Sequence, residues 1–356
     1  MKTTMKLLSL FLVIAFISTS CNNNNKNKID NIILLIGDGM SIPQINAFML
    51  TTDSTTAFER FPIIGLVKTN SKSNKITDSA AGGTAIATGY KTKNGMIGMN
   101  TDSIAVPSIL EIMSDKGKKT GIVATSYVTH ATPASFIAKN INRNNYEEIA
   151  LDFAECNKID ILIGGGRKHF INRKDNLNLI NEMTNNGWSY YDNIEHADHD
   201  NDKIIVLASD GHMNPYPQRG EFLSEATSLA LKSLSSNNPN GFFLMIEGSQ
   251  IDFACHNSDS TYLINEMCDF NNVINIVLDF AENNPNTLVL VTADHETGGL
   301  TMIDPDGKYT KTNLNFSTGS HSPLMVPIFA YGHNSERFSG IIDNTEIMSL
   351  LIKINE

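Results

Sequence analysis

The chain has 356 residues and a formal net charge of −11, with 41% hydrophobic and 18% charged residues. That composition excludes wholesale disorder, and the acidic balance excludes nucleic-acid binding driven by electrostatics alone. An anionic substrate is not excluded, because bound cations reverse the local field of a site.

The first residues read as a targeting segment. Lys2 and Lys6 lead into an apolar run over residues 7–17, followed by Ser18, Thr19, Ser20 and Cys21. This is the layout of a secretory signal peptide, and the run is too short to span a membrane as a helix. Small residues leading into a cysteine read as a bacterial lipoprotein cleavage site, with Cys21 the lipidated first residue. The alternative is an ordinary signal peptide cut near Ser20. Residues 1–20 are therefore assigned to the signal peptide, 21–28 to a polar, Asn-rich flexible tether, and 29–356 to a single catalytic domain. The expected location is the periplasm or cell surface, with outer-membrane anchoring and membrane contact only through the lipid. Beyond Cys21 the chain has Cys156, Cys255 and Cys268. An odd number cannot all pair internally, so disulfides are not the framework.

Short apolar runs and helical stretches then alternate. Residues 32–36 form a near-continuous apolar run that ends in Gly37-Asp38-Gly39. The segment Thr77-Asp78-Ser79-Ala80-Ala81-Gly82-Gly83 follows, in which Asp78 suits a helix N-cap. Ser79 would then sit at a helix N-terminus, whose dipole and free N–H groups favour phosphate. Helices are expected at 106–116, 146–155, 221–234 and 262–282, and further strands at 120–124, 159–163, 204–208, 242–246, 287–291 and 326–330. The strands are rich in β-branched and aromatic residues. Continuous rather than alternating apolarity implies burial on both faces, as in a parallel sheet. The fold class is α/β, a layered sandwich with a central, mostly parallel β-sheet flanked by helices.

Chemistry gathers where the strands end. Three of them deliver an acidic residue at or just past their carboxyl ends: Asp38, Glu247 and Asp294. Ligands bind along that edge of open parallel sheets, and three converging carboxylates repel one another unless a cation sits between them. Each acid alone reads better as a turn or cap residue; it is the three together that point to a cation. Asp252 and His256 are four apart and share a helix face, a pairing that suits zinc. His295 adjoins Asp294, and His321 precedes the last strand. His169, His196, His199 and His212 read as surface or satisfied core residues. The acidic stretch His196-Ala197-Asp198-His199-Asp200 reads as a solvated loop or a weak cation site.

In this order the motifs resemble those of alkaline phosphatases. They are Gly37-Asp38-Gly39-Met40, Thr77-Asp78-Ser79-Ala80-Ala81, His130-Ala131-Thr132-Pro133-Ala134, Asn142-Arg143-Asn144, Glu247-Gly248 with Asp252 and His256, Thr292-Ala293-Asp294-His295, and His321 ahead of Pro327 to Gly332. The resemblance implies phosphate monoester hydrolysis through a phosphoserine at Ser79, in a site with two zinc ions and one magnesium ion. Asp252, His256 and His321 would hold one zinc, and Asp38, Asp294 and His295 the other. Asp38, Thr132 and Glu247 would hold magnesium. Arg143 would clamp the phosphate, supported by Asp78. Homodimerisation is usual in that family. The chain departs from some members at His130, where they have Asp, and at Phe253, where they have Lys. Both changes bear on magnesium retention, and imidazole suits cobalt or zinc better than magnesium. The rival readings are a phosphodiesterase on the same scaffold and a non-catalytic surface lipoprotein that binds metal or phosphate.

Overall fold

The structure is a computed structural model that describes residues 29–304 and 313–355. Residues 1–28, with Cys21 and the tether, lie outside the described residues. In chain order the strands are β1 (Asn31–Gly37), β2 (Ile63–Lys68), β3 (Lys119–Tyr127), β4 (Ile161–Gly165), β5 (Ser189–Tyr191), β6 (Ile204–Ser209), β7 (Phe242–Gly248), β8 (Thr287–Thr292), β9 (Glu296–Thr297), β10 (Leu300–Ile303), β11 (Asn313–Phe316), β12 (His321–Ser322), β13 (Val326–Tyr331) and β14 (Gly340–Asp343). Ten of them form one sheet in the order β14-β2-β13-β8-β1-β7-β3-β4-β6-β5, flanked by helices.

The apolar runs become the inner strands because both faces of the sheet are covered. Ile32, Ile33, Leu34, Leu35 and Ile36 of β1 are all fully buried. Each such side chain contributes about 1.5–3 kcal/mol on burial, so the strand that presents Asp38 is firmly anchored. Its neighbours β7 and β8 run parallel to it on either side. The expected parallel pairing fails at β13, which is antiparallel to both β8 and β2. Continuous apolarity reports two-sided burial, and burial does not depend on strand direction. The outer strands β2, β5 and β14 escape the apolar pattern for the complementary reason. Ile64 of β2 and Ile341 of β14 are exposed, and β5 has three residues.

Helix boundaries move by a few residues where caps decide them. The helix expected at 106–116 spans Ile109–Asp115, because Ser108 and Glu111 form a capping box that starts it. The Ser260–Asn283 helix is capped by Asp259 and buries Leu263, Met267, Phe270, Ile274, Val277 and Leu278 along one stripe. That stripe packs on β1, β8 and the Phe222–Ser235 helix. Its buried Glu266 and Asp269 both accept from Arg219, which pins the loop after β6 against the helix.

Candidate active site

Four adjacent parallel strands, β8, β1, β7 and β3, bring their carboxyl ends together at the middle of the sheet. Asp294 and His295 follow β8, Asp38 follows β1, Glu247 lies at the end of β7, and His130 and Thr132 lie just beyond β3. The reversed direction of β13 places its amino end at this same edge. His321, in the short strand β12 that precedes β13, is thereby delivered to the group from the opposite chain direction.

Ser79 enters from a helix that runs Ser79–Thr88 and is buried along its whole length. Asp78 caps it, accepting from Ala81 N at 3.0 Å. A Cβ at Gly82 would lie 2.9 Å from the Asp294 carbonyl oxygen, so glycine there lets the helix dock against the loop after β8. Ser79 Oγ then lies 3.1 Å from His295 Nε2. Gly39 serves the other side: its φ is +75°, and a Cβ would meet Asp252 Cα at 2.9 Å.

Donor atoms collect in three sets, each with its atoms within 4.8 Å of one another: Asp252, His256 and His321; Asp38, Asp294 and His295; and Asp38, His130 and Glu247. In the first set His256 Nε2 lies 3.3 Å and His321 Nε2 3.6 Å from Asp252 Oδ1, and the two Nε2 atoms are 3.2 Å apart. Both imidazoles lie with Nδ1 against a backbone carbonyl, Gly319 O and Thr77 O, each at 2.8 Å. With Nδ1 donating, a cation that displaced the Nε2 proton would find both Nε2 lone pairs facing the Asp252 carboxylate. In the second set His295 Nε2 lies 3.2 Å from Asp294 Oδ2 and 3.4 Å from Asp38 Oδ1. Thr297 Oγ1 donates to Asp252 and lies 3.3 Å from His295 Nδ1, which ties the two sets together.

The electrostatics also ask for cations. Burial and the charges of Asp294, Asp252 and Glu247 push the Asp38 carboxyl well above the usual range. Burial, reinforced by Asp252, pushes Asp294 up to about 7, and burial with the Asp294 charge pushes Glu247 up to about 8. At Asp252 burial acts upward, but the His256 hydrogen bond and the neighbouring imidazoles outweigh it and hold the carboxyl low. Both Asp38 oxygens, Glu247 Oε1, Asp294 Oδ2 and Thr132 Oγ1 are buried and take part in no hydrogen bond. Buried oxygens in that state are costly unless an ion engages them.

Arg143 reaches the Ser79 helix from a loop. Its Nη1 donates to Asp78 Oδ2 at 3.1 Å and its Nη2 lies 3.2 Å from His130 Nε2. Asp78 Oδ2 also accepts from Gly95 N at 2.9 Å, so the carboxylate holds the guanidinium and the helix start in one frame. The structure places His130 among the donor atoms with Asp38 and Glu247, and Phe253 meets its ring edge-on at 5.9 Å. His212, read from sequence as a surface or satisfied core residue, accepts from Tyr127 N and packs against both His130 and Phe253. Thr297, Glu296 and Ser126, which donates to Glu247, escaped the sequence reading because their partners are distant in the chain. Asp198, His199 and Asp200 form a fourth donor group on the surface.

Comparisons with known proteins agree with this geometry. The family model described as alkaline phosphatase matches residues 29–312. Alkaline phosphatase 3 of Bacillus subtilis (strain 168) is 33% identical, covering 92% of this chain and 89% of its own. The alkaline phosphatase of the Antarctic bacterium TAB5 is 42% identical with a TM-score of 0.88, covering 92% of this chain and 98% of that one. A histidine-to-aspartate variant of the TAB5 enzyme has magnesium bound in its M3 site. A cold-active alkaline phosphatase from the psychrophile Shewanella sp. is 27% identical with a TM-score of 0.83, covering 92% and 100%. Fold, family match and relatives alike over nearly their full lengths agree: the chain belongs to the alkaline phosphatase family, whose members are phosphoric monoester hydrolases.

Proposed function

We propose that the chain hydrolyses phosphate monoesters through a phosphoserine at Ser79, in a site that holds two zinc ions and one magnesium ion. The observation that carries this reading is the placement of three donor sets around Ser79, with buried oxygens that have no hydrogen-bond partner. Mixed imidazole and carboxylate donors suit zinc at Asp252, His256 and His321 and at Asp38, Asp294 and His295. The oxygens of Asp38, Glu247 and Thr132 suit magnesium. When bound, such ions stabilise charge on phosphoryl oxygens and activate a hydroxyl that is a weak nucleophile at its free pKa.

The chain's own residues do the rest. The helix start at Ser79 offers backbone N–H groups and the positive end of the helix dipole to phosphate. Arg143 has the planar fork to pair two non-bridging oxygens at once, with Asp78 fixing its orientation. Ser79 Oγ bonds to phosphorus as the ester P–O bond breaks and the alcohol departs. Water then breaks the Oγ–P bond, releasing phosphate and restoring the hydroxyl. A diester offers that fork one free oxygen fewer, which favours the monoester reading.

Ser79→Ala should lower turnover of a chromogenic monoester by orders of magnitude, and acid-quenched wild type should yield a phosphorylated Ser79 peptide. Near-normal turnover in the variant, or phosphate on another residue, overturns the assignment. We further infer, from residues 1–28, that the protein is exported and anchored through Cys21. Intact mass of the native protein should show an acylated Cys21; a soluble form beginning elsewhere contradicts this. We read His130, which lies with Asp38 and Glu247, as the residue that sets magnesium retention here; a histidine-to-aspartate variant of the TAB5 enzyme holds magnesium in its M3 site.

A further inference from the structure

The carboxyl edge of the sheet continues past the donor sets. Beyond β3 lie β4 and then β6, both parallel to their neighbours. Lys168 follows β4 and His212 follows β6, so the topology sets both beside the loop that carries His130. Gly166, at φ +92°, lets the turn after β4 pass close to Tyr127, where a Cβ would meet Tyr127 Cβ at 3.0 Å.

These residues form one connected group. The Tyr127 ring stacks on His212 at 3.7 Å with 11° between planes. Lys168 Nζ donates to Tyr127 Oη at 3.0 Å and lies 4.8 Å from the ring centroid. His212 meets His130 at 5.7 Å and Phe253 at 4.9 Å, both edge-on, and His130 contacts Arg143. The group therefore adjoins the phosphate clamp.

Its polar atoms are left ready for a ligand. His212 Nδ1 accepts from Tyr127 N at 3.2 Å, which fixes the neutral ring with its proton on Nε2. The Lys168 ammonium completes the group. Arg167 beside it is paired with Asp210 and Arg173 with Asp175. Lys168 has no carboxylate partner among the described residues, in a chain whose net charge is −11. A partly buried, unneutralised ammonium held in place by a phenol is a built cation rather than a solvated surface lysine.

We propose that Lys168, Tyr127 and His212 form an outer subsite for a second anionic group on the alcohol portion of the substrate, so that the preferred esters carry a carboxylate or a further phosphate-like group. The inference rests on the assignment of the reacting phosphate to Ser79 and Arg143. Lys168 supplies the charge, His212 Nε2–H and Tyr127 Oη–H supply directional donors, and Phe253 supplies an apolar wall.

The test compares phenyl phosphate with its 4-carboxymethyl and 4-phosphonomethyl analogues, whose leaving groups differ little in acidity. The quantity read is the ratio of kcat/KM for each charged ester to that of the neutral one. Lys168→Met should lower the ratio about tenfold, the effect of one charge-assisted hydrogen bond, and Lys168→Arg should retain most of it. The wild-type ratio should also fall with added salt. A larger drop for the phosphonate than for the carboxylate identifies a phosphate-like second group; the reverse identifies a carboxylate. An unchanged ratio in Lys168→Met, or a wild-type ratio insensitive to salt, overturns the subsite. So does an equal loss for all three esters with a lowered Tm, which marks Lys168 as packing for Tyr127. Ser79→Ala, run on the same esters, separates the two readings, because its normal turnover would overturn the nucleophile assignment instead.

Discussion

Glu296 is fully buried, and its carboxylate accepts from Gln44 Nε2, Gly299 N, Leu300 N and Ser322 Oγ. It neighbours His295 and, through Ser322, holds the strand that carries His321, so one side chain fixes parts of two donor sets. Glu296→Gln sets an amide N–H against donors that need an acceptor. Zinc affinity should fall about tenfold to a hundredfold, as for other partners that orient metal ligands; competition with a chromogenic chelator measures it, and wild-type affinity would contradict the role. His130 and Phe253 make a second case. His130→Asp with Phe253→Lys adds a carboxylate beside Glu247 and a cation near phosphate. The double variant should retain magnesium through dialysis better and bind product phosphate more tightly, and equal behaviour of both proteins contradicts this. The ligand candidates Asp38, Glu247, Asp252 and Asp294 were legible because strand ends and helix spacing advertise them. Glu296 was not, because the side chains that tie it to the rest of the site, Gln44 and Ser322, lie 252 and 26 residues away and no local pattern records those contacts.

At the scale of elements, the Ser79–Thr88 helix aims the nucleophile by its fit against the loop after β8. Gly82→Ala would press a methyl group against the Asp294 carbonyl. Overpacking of this kind costs about 1–3 kcal/mol, and displacement of Ser79 from its reacting position should lower kcat more than it raises KM. Tm and steady-state kinetics read both effects, and a fully active, equally stable variant would show that the close approach does not position Ser79. The seven strands expected from sequence are present, because two-sided burial writes itself as continuous apolarity. The outer strands β2 and β14 left no such mark, and the direction of β13 left none at all, although that reversal is what brings His321 to the site. The glycines at 82 and 39 were visible as small residues; what they pack against was not.

For the whole molecule, stability should depend on pH through histidines kept neutral by packing. Burial, then the Lys168 charge, hold His169 and His212 down to about 4, while unfolded histidines titrate near 6.5. Between those values these two residues bind more protons in the unfolded chain than in the folded one, so the stability they contribute falls as pH drops through that window. In chelator-treated protein the raised carboxyls of Asp38, Glu247 and Asp294 act in the opposite direction, so the pair is read as a difference: the urea midpoint of wild type relative to that of His169→Gln with His212→Gln should fall from pH 6.5 toward 4, and a difference that does not change with pH contradicts the assignment. Among the described residues no helix is long and apolar enough to cross a membrane; the proposed attachment through Cys21 rests on the sequence of residues 1–28 alone. The central claim, that Ser79 stands between donor sets that hold metal, is tested most directly by anomalous diffraction at the zinc edge from crystals of active, zinc-replete protein. The account predicts one peak among Asp252, His256 and His321 and a second among Asp38, Asp294 and His295, both beside Ser79. Active crystals with no peak at either set, or with zinc only at Asp198, His199 and Asp200, would contradict it.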